Sequence, residues 1–196
     1  ERQQKQQIIN DLKKKMVFIT GPRQVGKTWL AKEIAQLFPK SVYLNYDSAG
    51  DRRIINDEAW LEDTELLVLD ELHKMNGWKN YLKGVYDTKP AGMMILVTGS
   101  ARLEAFRQQG DSLAGRFFRH RLLPFSPAEA GRTRESVDPT FFLSRGGFPE
   151  PFLADTATDA DRWRMQYIDG LIRTDILDFE RIHDFKAIQL ILDLLR

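Results

Sequence analysis

Gly21-Pro22-Arg23-Gln24-Val25-Gly26-Lys27-Thr28 is the stretch whose reading decides the fold. It satisfies G-x-x-x-x-G-K-[ST], and its neighbours supply the context that motif needs. Met16-Val17-Phe18-Ile19-Thr20 before it is apolar and biased to β-branched residues, as a buried parallel strand would be, and Trp29 to Leu37 after it has a helical pattern. Gly21 and Gly26 can adopt backbone angles that other residues resist, so the loop can wrap a polyphosphate and aim successive N–H groups at it. The helix that follows turns its positive dipole end to the same anion. Lys27 would reach the terminal phosphates as a point charge, and the Thr28 hydroxyl would ligate a Mg²⁺ that keeps most of its waters.

A second stretch, Leu66-Leu67-Val68-Leu69-Asp70-Glu71, has four apolar residues and then two carboxylates. This is the pattern of a strand buried on both faces whose end opens at the ligand side of a sheet. It resembles a Walker B motif, in which Asp70 would bind Mg²⁺ and Glu71 would take a proton from the attacking water. Two adjacent acids at a buried strand end repel one another unless a cation lies between them.

Composition bounds the remaining choices. With 196 residues and 42% hydrophobic content the chain can bury a core, and its 29 basic and 28 acidic side chains leave a net charge of +1, so no global field favours nucleic acid or an anionic membrane. No apolar run approaches the roughly 20 residues that span a bilayer, so a cytoplasmic protein is expected. The absence of cysteine excludes disulfide frameworks and thiolate catalysis, and histidines only at 73, 120 and 183 lack the spacing of a metal site.

Outward from the two motifs, residues 2 to 14 read as a leading helix that carries Ile8, Ile9 and Leu12 on one face and ends in the solvated run Lys13 to Lys15. Residues 41 to 45 read as a second strand, and Asp51 to Asp63 as a charged helix. Trp78, Tyr81, Leu82, Val85 and Tyr86 fall on one helical face as core, and Met93 to Thr98 form another buried strand. At its tip Ser100, or less favourably Thr98, would sense the terminal phosphate, while His73 reads as a turn residue with phosphate sensing as its alternative. In Arg116 to Leu122 the alternation predicts an edge strand with basic residues outward, and Arg116 is the candidate transition-state arginine. Ser126 and Glu129 have capping-box spacing. A short helix is expected from Asp138 to Ser144, a sharply turned segment from Arg145 to Pro151, and helices from about Asp159 to Asp178 and from Asp184 onward. Ile188, Ile191, Leu192 and Leu195 form an apolar stripe that either packs back or meets a portion beyond the chain end.

With these pieces in order, the chain resembles the prokaryotic AAA-type ATPases in which an AAA domain precedes a C-terminal domain of unknown function. The resemblance rests on Ile19 to Thr28, Leu69 to Lys74 with Trp78, Val97 to Ser100, Leu113-Ala114-Gly115-Arg116, Leu123-Pro124-Phe125-Ser126 and Gly146 to Glu150. It implies an α/β P-loop NTPase fold of the additional-strand AAA type, with a five-stranded parallel sheet in the order 5-1-4-3-2 between helices. It also implies ATP with Mg²⁺ as ligand, a turn beside the nucleotide at Gly147 and Pro149, and a second half of a full-length member beyond this chain. Trp29 departs from the Thr or Ser common at that position and puts bulk beside the nucleotide. The expected division is a P-loop core over residues 1–131, and a helical lid with the start of a further region over 132–196.

The leading functional expectation is an ATP hydrolase that couples turnover to a conformational change. In it the loop, Lys27 and Thr28 hold the phosphates, Thr28 and Asp70 hold the metal, and Glu71, Ser100 and Arg116 serve the reaction. GTP is disfavoured because no Asn-Lys-x-Asp follows the strands. The rivals are a nucleotide-dependent switch with slow hydrolysis and a DNA-associated ATPase. The second of these rests only on the basic runs at 13–15 and 116–121. Homo-oligomerisation, and whether Arg116 serves its own or a neighbour's nucleotide, are left open.

Overall fold

The computed structural model describes residues 2–99, 113–133 and 138–171. Its centre is one parallel sheet of β1 (Met16–Thr20), β2 (Ser41–Asn45), β3 (Leu66–Asp70), β4 (Met94–Thr98) and β5 (Phe117–Arg121), in the order β2-β3-β4-β1-β5. That is the expected order read from the other edge. The registers Val17↔Leu96, Asp70↔Thr98, Asn45↔Asp70 and Thr20↔Arg121 bring the C-terminal ends of all five strands to one edge.

The central strands are buried on both faces because helices cover both. α1 (Lys5–Leu12) lies against β1 and β4, and α2 (Lys27–Ala35) against β2, β3 and β4. Ile8, Leu12, Leu30, Ala31 and Ile34 are buried there, at helical spacing. On the opposite face Phe18, Leu67, Leu69, Ile95 and Val97 share a core with Ile55 of α3 (Ala49–Asn56) and with Trp78, Leu82 and Val85 of α4 (Trp78–Thr88); Tyr81 and Tyr86 pack against it. The aromatic stripe read from sequence is therefore core.

α3 is shorter than the charged run 51–63 suggested. Ser48 caps it by accepting the Asp51 N–H, and it ends at Asn56, with Glu58 in the left-handed region at φ 50°. Trp60, beyond the helix, still packs against the core.

Beyond the C-terminal end of β5, α5 (Pro127–Thr133) begins with the anticipated capping box. The Ser126 N–H donates to Glu129 Oε2 (3.1 Å), and the Glu129 N–H donates to Ser126 Oγ (3.2 Å). Glu129 also accepts the Gln3 N–H and pairs with the buried Arg2, which ties the leader of α1 to this cap. Ser126→Ala is expected to lower stability by about 1 kcal/mol, read as an earlier urea midpoint with unchanged slope.

The chain divides into two compact units, Glu1–Val137 and Asp138–Arg196. In the second, α6 (Pro139–Arg145) starts at the N-cap Asp138, and α7 (Pro149–Leu153) occupies part of the segment expected only to turn. Proline suits a helix's first turn, where its missing N–H would be unpaired anyway, so Pro149 begins a helix and does not prevent one. α8 (Ala157–Gly170) stacks Trp163 on Tyr167, with Phe148 tilted against both. The remainder of the helix expected to reach Asp178, the one from Asp184, and the stripe at 188–195 lie outside the described residues.

Candidate active site

β1 delivers its last residue, Thr20, directly into the glycine loop. Gly21 has φ 142°, and a Cβ built there would lie 2.2 Å from the Leu122 carbonyl oxygen. Leu122 comes that close because its own N–H donates to the Thr20 carbonyl (2.8 Å), extending the β1–β5 pairing past the strand end. Gly26, at φ 95°, caps α2, and Val25 between the glycines is buried and anchors the loop. Lys27 is also buried, and its ammonium donates to the carbonyls of Gly21 (3.0 Å) and Pro22 (2.6 Å), so the loop curls around its own cation. Trp29 does not pack inward; it is 59% exposed.

Two strands away, Asp70 ends β3 at 1% exposure. Hydroxyls from three elements converge on its carboxylate. Thr28 of α2 (2.8 Å) and Tyr43 of β2 (2.6 Å) donate to Oδ2, and Thr98 of β4 donates to Oδ1. Burial, then the hydrogen bond to Asp70, pushes the Tyr43 phenol well above its usual range, so it stays a donor. The Thr28 contact unites the motifs at 21–28 and 66–71, which are far apart in sequence.

Glu71 follows in the left-handed region at φ 57°, unusual for a residue with a side chain. Its carboxylate lies 3.5 Å from His73 Nε2 and 3.7 Å from Lys74 Nζ, and Lys74 also binds Asp47 beyond β2 at 2.5 Å. Burial raises the Glu71 pKa, opposed by the charge of Lys74 and reinforced by that of Asp70. A carboxyl so held is a better proton acceptor once ionised than an ordinary surface glutamate.

The structure thus brings together Lys27, Thr28, Asp70 and Glu71, the latter three at the edge where the loop leaves the sheet. Arg116 is elsewhere. Its carbonyl accepts the N–H of Met16, so it stands at the start of β5, roughly 16 Å down the strand from the loop at about 3.3 Å per residue. Its guanidinium is held in a bidentate pair by Asp87. Of the two alternatives left open for Arg116, its own chain's nucleotide or a neighbour's, the first is disfavoured, because the parallel register puts the start of β5 at the opposite end of the sheet from its own loop. The members of the basic run differ in setting: His120 is buried and faces Asp11 (3.0 Å), while Arg119 and Arg121 are exposed. Thr98, the alternative phosphate sensor, spends its hydroxyl on Asp70. Ser100 lies outside the described residues. Gly147 and Pro149 belong to the second unit, where Phe148 between them packs on Trp163 and Tyr167.

Sequence reading missed the roles of Tyr43, Lys74 and His73. Tyr43 carried only a strand signal, and nothing in one dimension places β2 beside β3. His73 was read as a turn residue, yet its side chain is 5% exposed and rests on Glu71.

The donors fit a small hard cation. A hydroxyl and a carboxylate oxygen 2.8 Å apart suit Mg²⁺, which takes few protein ligands and completes its shell with water and phosphate oxygens. Among the described residues no group of three or more His, Cys, Asp or Glu side chains could hold a metal, which fits no zinc or calcium cage.

Strand, glycine loop and helix, with an acid-tipped strand two places across and another strand between them, define a P-loop NTPase of the additional-strand type. The chain belongs to the AAA domain family: the model of that family matches residues 13–131, and one for a domain of unknown function matches 138–196. Among curated proteins it is similar to an uncharacterized protein of Methanocaldococcus jannaschii, 25% identical over 92% of this chain and 46% of that protein. An uncharacterized protein of Mycobacterium tuberculosis is 26% identical over 82% of this chain and 36% of its own length. The chain thus spans less than half the length of these relatives. Among solved structures it is similar in fold to the Walker-type ATPase of Pyrococcus abyssi (TM-score 0.59, 15% identity, 92% of this chain and 75% of that one). AMPPCP-bound DnaA from Aquifex aeolicus also aligns (TM-score 0.54, 13% identity, 87% and 62%). Among the described residues no helix is long and apolar enough to cross a membrane.

Proposed function

We propose that this chain binds ATP with Mg²⁺ at the loop 21–28 and hydrolyses it, using the cycle to change the disposition of its helical C-terminal region, the lid. The observation that carries this reading is the 2.8 Å contact between Thr28 Oγ1 and Asp70 Oδ2. It supports the reading because it brings the phosphate-wrapping loop and the acid-tipped strand to one spot, where both could address one phosphate–metal unit.

The roles follow from the chemistry on the page. Residues Gly21 to Thr28 surround the phosphates, with Lys27 exchanging its loop carbonyls for phosphate oxygens. Thr28 and Asp70 hold the cation, Asp70 with its carboxylate already fixed by hydroxyls. Bound there, Mg²⁺ would neutralise charge on the transferring phosphoryl group. Glu71 orients and deprotonates water. Ser100 remains the proposed sensor and Trp29 the bulk beside the nucleotide, with Gly147 and Pro149 as the turn the lid brings to it. Arg116 is retained only as a residue offered to a neighbouring copy's nucleotide.

One observation favours the slow-switch alternative. The Glu71 carboxylate is flanked by Lys74 and His73, contacts that would have to loosen before it could serve as a base. Turnover slow enough for one nucleotide to outlast many partner encounters, with unequal partner affinity in the ATP and ADP states, would select the switch.

The test is calorimetry with a non-hydrolysable ATP analogue in Mg²⁺. Lys27→Ala is expected to weaken binding roughly tenfold to a hundredfold, the worth of a charge-assisted contact. An intact chain that bound no adenine nucleotide in Mg²⁺ would overturn the proposal.

A further inference from the structure

Tyr43 lies where a pure strand residue would not need a hydroxyl. Its ring sits on the α2 face of the sheet, one diagonal step from Asp70, because Tyr43 pairs with Val68 and Asn45 pairs with Asp70. Lys32 of α2 holds the ring from the other side, its ammonium 4.7 Å from the ring centroid. The phenol then donates to Asp70 Oδ2 at 2.6 Å, the same oxygen that accepts from Thr28, while Thr98 occupies Oδ1.

These donors have different consequences. Thr28 belongs to the loop and is itself a metal-ligand candidate, so its bond to Asp70 shares the oxygen with whatever the site binds. Thr98 sits directly opposite Asp70 in the ladder and fixes the oxygen on the β4 side. Tyr43 is the donor from the β2 side, and it is clamped by a cation from the helix that carries Lys27 and Thr28. With Thr98 alone, the carboxylate could still swing its second oxygen about the side-chain bond. With Tyr43 as well, both oxygens are held and Oδ2 stays beside Thr28.

We propose that Tyr43 is a positioning residue for Asp70: its hydroxyl, anchored through Lys32, fixes the carboxylate rotamer and thereby sets the affinity of the site for its divalent cation. The inference rests on the proposed Mg²⁺–ATP reading of the site. Partners of metal-binding carboxylates typically contribute 10- to 100-fold in metal affinity or activity, roughly the range expected here.

Binding of a non-hydrolysable ATP analogue is measured by calorimetry at graded Mg²⁺ concentrations and in EDTA. In Tyr43→Phe, the Mg²⁺ concentration that gives half the full gain in nucleotide affinity is expected to rise about tenfold, with affinity in EDTA unchanged. Lys32→Met, which keeps the hydroxyl but frees the ring, should shift the same midpoint in the same direction by less. It also serves as the deciding variant should Tyr43→Phe fail to fold. A midpoint identical to wild type in both variants overturns the role of Tyr43. Equal loss of affinity in Mg²⁺ and in EDTA overturns it too, because general damage to the fold would act that way. A wild-type chain whose nucleotide affinity ignored Mg²⁺ would instead overturn the underlying reading of the site.

Discussion

Glu71→Gln is expected to slow ATP turnover by roughly 10² to 10⁴-fold, the usual contribution of a positioned base, while ATP affinity stays near that of the parent chain. The substitution keeps the shape of the side chain, removes its ability to accept a proton, and leaves Lys27, Thr28 and Asp70 in place. It should not harm the fold. Burial raises the Glu71 pKa, so the native chain holds that proton more tightly than the unfolded chain does. Stability from this group is therefore full below the ordinary glutamate range and falls as pH rises through the raised value. At neutral pH the neutral amide avoids that loss, so the variant should unfold in urea no earlier than wild type. A steady-state phosphate-release assay beside a binding titration separates the two effects. Parent-like turnover would remove Glu71 from the role of base.

Gly21→Ala should be the most damaging small substitution in the loop, and for a different reason. A methyl at this position would meet a backbone oxygen, Leu122 O, at 2.2 Å, and the residue would still have to hold φ 142°. That oxygen is backbone and not the tip of a flexible side chain. The clash and the backbone strain each cost about 1–3 kcal/mol, so a combined loss of about 2–6 kcal/mol is expected, against typical total stabilities of roughly 5–15 kcal/mol. Gly84→Ala is the matched comparison. It lies inside α4, its added methyl would meet nothing within 4 Å, and its φ is not positive. There the change should stabilise by about 0.5–1 kcal/mol, by limiting the freedom of the unfolded chain. Urea midpoints of the two variants that moved in the same direction would refute the steric account of Gly21.

What could be read in the sequence was whatever repeats along the chain. Five strands are buried or edge-bound in patterns of apolar residues that neighbours in sequence reveal, so β1 to β5 were legible, while their order came only from the resemblance to AAA-type ATPases. So were the capping box at Ser126 and the core face of α4. The loop and the acid pair were legible because their chemistry sits on consecutive residues. What could not be read depended on neighbours across the sheet. Tyr43 and Thr98 reach Asp70 only because β2 and β4 flank β3. Lys74 meets Asp47 only because the segment after β3 passes the end of β2. The choice left open for Arg116 likewise depended on a neighbouring strand. The sequence puts it in the basic edge-strand stretch, but only the parallel register with β1 reveals that the start of β5 lies at the opposite end of the sheet from the loop.

The ammonium of Lys27, already cradled by the Gly21 and Pro22 carbonyls, has a thermodynamic consequence. An incoming polyanion would trade oxygen for oxygen around a cation that is in position, so little ordering of the backbone would be charged against association. Binding should then carry a modest entropic penalty, and the loop should resist proteolysis almost equally with and without nucleotide.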